Sequence, residues 1–124
     1  MIAGQGTDLE PIEDRTYRFA LRVVKLVRAM PHDIQSGVLG TQLLKAATSV
    51  GANVEEALGA ASKRDFANKM NIALKEAREA HYWLRLIRDA EFFEPGQMAA
   101  IVQEALEIKK ILSASVKTAR RNLG

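Results

Sequence analysis

Residues 62–90, SKRDFANKMNIALKEAREAHYWLRLIRDA, decide the fold. Phe66, Met70, Ala73, Ala77, Ala80, Leu84 and Ile87 recur at alternating steps of four and three. That spacing draws one apolar line along an α-helix and cannot line one face of a strand. Ser62 stands three residues before Asp65, where a serine hydroxyl caps a first turn. Alanines in the middle of the line admit a facing helix closely, and the larger side chains fill the ends. The pattern predicts helix three from about Ser62 to Ala90.

The same step runs through the preceding segment, helix two, from after Ser36 to about Leu58, at Gly40, Leu43, Ala47, Val50, Val54, Ala57 and, beyond it, Ala61. Gly59 can take the left-handed position that closes a helix, and the short turn makes helices two and three antiparallel neighbours. Helix one is predicted from Pro11 to Met30, with Ile12, Phe19, Ala20, Val23, Val24, Val27 and Met30 inward and Pro31 as its stop. After Glu91-Phe92-Phe93, Pro95 suits the first turn of helix four, whose inward face is Met98, Ile101, Ala105, Ile108, Leu112, Ser115 and Ala119. No segment alternates like a strand. Short loops between helices of similar length predict an all-α, up-down-up-down antiparallel four-helix bundle over 11–124. Residues 1–10, MIAGQGTDLE, read as a flexible arm.

At 124 residues, with 48% hydrophobic and 27% charged side chains, the chain suits one globular domain. It has no cysteine, which removes disulfides, thiolate metal sites and cysteine nucleophiles together. No apolar run approaches the ~20 residues of a membrane span, and the N-terminus lacks signal-peptide order, so a cytoplasmic location is expected. Gly4 and Gly6 begin a G-x-G pattern, but Leu9 stands where a third glycine would be. A bundle di-metal site needs Glu-x-x-His steps, whereas Ala29 and Arg78 precede His32 and His81 by three. No metal or cofactor is therefore expected. Neither a G-x-S-x-G elbow nor a phosphate-binding glycine loop occurs, and no enzymatic apparatus is evident.

Residues 48–87, TSVGANVEEALGAASKRDFANKMNIALKEAREAHYWLRLI, carry a more specific signal: the Asn53-x-x-Glu56 step, then Ser62, Phe66, the Ile72-Ala73 pair and Glu79. This constellation resembles the four-helix-bundle proteins first noticed as reading frames within intervening sequences of bacterial large-subunit ribosomal RNA genes. Many relatives place a glycine after the matched glutamate and a Gly-Ser pair in helix three, where this chain has Ala57 and Lys75-Glu76, as a divergent subgroup would. The resemblance implies a self-assembling bundle, with a ring of five subunits favoured. The accessory proteins of diversity-generating retroelements are distantly similar, and they imply nucleic acid and a nucleic-acid enzyme as partners. No catalytic residue is implied.

Asn53 falls beside the apolar line of helix two, where a buried amide fixes register or a subunit contact, or meets a ligand. Glu56 lies further round. Ile72, Trp83, Leu86 and Ala90 form a second apolar face on helix three. A lone bundle has little use for two such faces, so Ile72, Trp83 and Leu86 are expected at an interface with another copy, unless Trp83 only covers the Phe92-Phe93 segment.

Charge is unevenly spread. Between residues 15 and 32 stand Arg15, Arg18, Arg22, Lys25 and Arg28 without an acid, and after Glu107 stand Lys109, Lys110, Lys117, Arg120 and Arg121. Helical geometry assembles Arg15, Arg18, Arg22 and Lys25 into one solvent stripe and Lys110, Lys117 and Arg121 into another, merging where the start of helix one lies near the end of helix four. The expected function is a non-catalytic homo-oligomeric module binding RNA or DNA through these faces, by phosphate contacts with little sequence preference. A protein-interaction scaffold whose basic surface is only solvated charge is the alternative.

Overall fold

The structure, a computed structural model, describes residues 10–123. The expected arm at 1–10 therefore lies, except for Glu10, outside the described residues. Four helices follow in order, α1 (Ile12–Arg28), α2 (Ile34–Leu58), α3 (Lys63–Asp89) and α4 (Ala99–Arg121), with no strand among the described residues.

Local chemistry sets the boundaries. The Ser62 hydroxyl accepts the Asp65 N–H at 3.0 Å, as the spacing predicts. The Asp33 carboxylate accepts the Ser36 N–H at 2.7 Å, so α2 begins at Ile34, ahead of the start read from the sequence. Each such cap stabilises its helix by about 1 kcal/mol. That hydrogen bond also holds the Asp33 carboxyl below its ordinary pKa.

Two turns depart from expectation. Gly59 has φ −93°, so it ends α2 without the left-handed conformation its residue type allows. The left-handed closure falls instead on Glu91, φ 63°, at the end of α3. There the Glu91 N–H donates to the Arg88 carbonyl at 3.1 Å and the Phe92 N–H to the Ile87 carbonyl at 3.5 Å, a paired closure that usually carries glycine. Pro95 is not in the first turn of α4. It precedes Gly96, φ 95°, in a turn that the Gln97 N–H closes on the Glu94 carbonyl at 3.1 Å, and α4 starts only at Ala99.

Each helix packs on its neighbour in the chain, α2 and α3 along the greatest length, while α1 touches α4 more lightly and diagonal pairs do not approach backbone to backbone. The four apolar lines meet in one core in which Leu43, Val50, Val54, Leu84, Ile87, Ile108 and Leu112 are fully buried. Burying each such side chain stabilises the fold by about 2 kcal/mol. Of the predicted inward residues, Ala61 is exposed in the α2–α3 turn, and Phe66 and Ser115 are half-buried. In α1, Ile12, Ala20, Val24 and Val27 are half-buried, while Arg15 and Thr16 are buried. Two glycines of α2 admit α1 closely: a Cβ on Gly51 would stand 3.5 Å from the Thr16 carbonyl oxygen, and one on Gly40 3.1 Å from the Val27 Cγ1.

Candidate nucleic-acid interface

The basic stripe expected on α1 is largely committed elsewhere. Arg15 is 5% exposed, and its guanidinium donates to Glu104 of α4 through Nε at 2.8 Å and Nη2 at 2.9 Å. The reason is register: Arg15 stands four residues before Phe19 and eight before Val23, on their side of the helix. Arg18, half-buried, pairs bidentately with Glu10. Arg22 is half-buried and Lys25 exposed. On α4, Lys110, Lys117 and Arg121 are exposed as expected. The Arg15–Glu104 tie engages the first half of α4, away from Lys117 and Arg121, and lends no support to a merged α1–α4 patch.

A different basic surface lies along the seam of α3 and α4. His81, 8% exposed, faces α4, with its Nδ1 3.1 Å from Lys109 Nζ. An ammonium only donates, so Nδ1 accepts and the imidazole carries its proton on Nε2. Arg78, Arg85 and Arg88 stand three before, four after and seven after His81, spacings that share its helix face. Arg120 stands eleven after Lys109 and returns to that side of α4. Burial, then Lys109, Arg85 and Arg88, lower the His81 pKa. Arg88 shares its charge with Asp89 at 2.8 Å. Sequence reading missed this seam because it tallied runs of like charge; the arginine spacing about His81 was the available signal.

The acids of α3 face the other way. Glu76 and Glu79 stand five and two residues before His81, on the far side of the helix. Burial, followed by the charge of Glu79, raises the Glu76 pKa, while Lys75 and Lys45 of α2 oppose the rise. The arginines of α3 thus share the face of His81, while Glu76 and Glu79 stand on the other side together with Lys75 and Lys45. Of the three motif residues, Glu56 and Glu79 are exposed, and Asn53 is half-buried. The Asn53 amide donates to the Ser49 carbonyl at 2.9 Å and hydroxyl at 3.0 Å, inside its own helix. Among the described residues its amide therefore ties no second helix.

Ile72 is 41% exposed and Leu86 37%, whereas Trp83 is half-buried against the core with its ring edge-on to exposed Tyr82 at 5.0 Å. Ile34 and Val38, one turn apart near the start of α2, are 86% and 56% exposed. An open cleft of about 780 Å³ lies between the α2–α3 turn and the end of α4. Phe66, Ile111 and Ala114 line it with Ser115 and Thr118, but no titratable pair converges there to do chemistry. Among the described residues, no group of three His, Asp or Glu side chains is placed to hold a metal ion, and no helix is long and apolar enough to cross a membrane.

Residues 11–114 match the model of the 23S rRNA-intervening sequence protein family. The fold matches a crystal structure from Bacteroides thetaiotaomicron VPI-5482, of a protein with unknown function from the S23 ribosomal protein family. The two chains are 39% identical, the match covers 86% of this chain and 99% of that one, and the TM-score is 0.80. Comparison with curated proteins returns no match.

Proposed function

We propose a function on one premise: the chain belongs to the 23S rRNA-intervening sequence protein family. In our reading it is a non-catalytic, homo-oligomeric module, pentamer favoured, that binds the phosphate backbone of RNA or DNA in the cytoplasm, alone or alongside a nucleic-acid enzyme. The observation that carries the reading is the gathering of Arg85, Arg88 and Lys109 around His81, with Asp89 the acid beside Arg88, which moves the interface from the expected α1 stripe to the α3–α4 seam. Lys110 and Lys117 extend it along α4. The exposed Ile34, Val38, Ile72 and Leu86, with Trp83, support contact between copies. We read the topology as up-down-up-down. Thr16 against Gly51 and Val27 against Gly40 run in opposite senses along α1 and α2, and the α2–α3 turn spans only 59–62.

Fluorescence anisotropy with a labelled RNA tests the binding. Affinity should fall steeply with salt, since each phosphate neutralised releases counterions. An Arg78→Glu, Arg85→Glu, Lys117→Glu variant reverses three exposed cations without touching the core and should lose binding while keeping its mass by light scattering. Unchanged binding by that variant, or none by the wild type at low salt, overturns the reading. The exposed Glu79, away from the arginine face of α3, favours a second one, a scaffold in which acid and base meet between neighbouring copies. Absent RNA binding together with an assembly that dissociates at high salt would select it.

A further inference from the structure

We propose that the α3–α4 seam at His81 and Lys109 is a phosphate-binding site, in which a phosphate oxygen enters between the imidazole and the ammonium and accepts a hydrogen bond from each. The proposal rests on the nucleic-acid reading and deepens it by naming one site and one kind of group. His81 Nδ1 and Lys109 Nζ already stand 3.1 Å apart, so the lysine is held at the ring edge, with no carboxylate paired to it among the described residues. From α3, Arg85 and Arg88 add positive charge at the ring, Arg88 partly offset by Asp89, and from α4 the acting charge is Lys109. An ammonium, an imidazole that can gain a proton, and the positive charge of Arg85, whose guanidinium lies over the Tyr82 ring, suit a phosphate, and charged hydrogen bonds are its strongest attachments.

The site has a proton in its bookkeeping. Without an anion, the imidazole accepts from the ammonium and is neutral. With a phosphate oxygen between them, Nδ1 gains a proton and donates to the anion, so binding takes up one proton from solvent. Binding at this site must therefore strengthen on acidification.

His32, exposed in the α1–α2 turn, supplies an internal reference. The experiment follows the imidazole proton resonances of the full chain by NMR, titrating pH with sodium tripolyphosphate, with a single-stranded oligonucleotide, and with neither. Both probes should displace the His81 resonance and raise its titration midpoint more than that of His32. Tripolyphosphate takes up a proton of its own in this range, so the measure is set against His81→Gln: the ratio of affinity at about pH 5.5 to that at about pH 7.5 should be about tenfold higher in the wild type than in that variant. In Lys109→Met, whose stem preserves the packing, affinity should drop at both pH values. A His81 midpoint that neither probe moves, or a Lys109→Met variant that binds tripolyphosphate as the wild type does, overturns the site. If the oligonucleotide binds with His81 unmoved, this site fails and the broader nucleic-acid reading stands. If only tripolyphosphate moves it and no oligonucleotide binds, the site stands for a free phosphate compound and the broader reading fails.

Discussion

Replacing Glu91 with glycine should stabilise the protein. Glu91 holds φ 63° so that its own N–H and that of Phe92 can close the end of α3 on Arg88 and Ile87. A side chain in that region costs about 1–2 kcal/mol, because Cβ crowds the following carbonyl, and glycine is free of the cost. Glycine also widens the unfolded ensemble, which offsets about 0.4–1 kcal/mol. The net expectation is about 0.5–1 kcal/mol of added stability, or about 2–4 °C in Tm for a chain of this size. Part of any gain could come from removing a negative charge at a helix C-terminus, worth a few tenths of a kcal/mol by about the same reasoning in reverse as cations there. Glu91→Gln isolates that part, since it neutralises the charge and keeps Cβ. Urea denaturation followed by circular dichroism, with m-values compared, measures all three proteins. A glycine variant no more stable than the glutamine variant would refute the claim that backbone strain resides at this position.

Gly51→Ala should stabilise α2 by about 0.5–1 kcal/mol through helix propensity. Its new methyl would meet Thr16 at ordinary contact distance, 3.5 Å. Gly40→Ala should forfeit that gain, because its Cβ would lie 3.1 Å from the Val27 Cγ1 on a β-branched side chain that rotates poorly in a helix. Thermal melts of the pair should rank Gly51→Ala above Gly40→Ala. Ser36 is buried with its hydroxyl lacking a hydrogen-bond partner among the described residues, so Ser36→Ala should be neutral or slightly stabilising in chemical denaturation, not destabilising. His81 has its pKa lowered in the fold from 6.5, so the unfolded chain takes up that proton first. Stability owed to neutral His81 is complete above 6.5 and is lost as pH falls toward the lowered folded value, and urea midpoints should show that slope in the wild type and less of it in His81→Gln.

The apolar lines of α2, α3 and α4 were legible in the sequence because core burial repeats with the helix period. Leu43, Val50, Val54, Met70, Ala77, Leu84, Ile101, Ile108 and Leu112 are all buried where the spacing puts them. Ser62 was legible as a cap for a similarly local reason. What escaped depends on partners far apart in sequence. Arg15 resembles a solvent cation until Glu104, 89 residues away, is brought beside it. Lys109 belonged to a C-terminal run of charge until the fold set it on His81. Residue type misled at two turns, since Gly59 did not use its conformational freedom and Glu91 adopted a conformation it disfavours. The seam was half legible: spacing places Arg78, Arg85 and Arg88 on one face of α3, but only packing brings α4's lysines to it.

The gathering of Arg85, Arg88 and Lys109 on one side of the molecule bears on how it meets a partner in solution. A net charge of +3 describes its attraction at long range, where only the total matters. Within about a Debye length, roughly 8 Å at physiological salt, the separate sides are felt individually. A polyanion then exerts a torque as well as a pull, drawn to the neighbourhood of Arg85 and Lys109 more than to that of Glu76 and Glu79, where Lys75 and Lys45 offset the acids. Productive encounters are thus selected by rotation before contact, over a distance that shortens as salt is added.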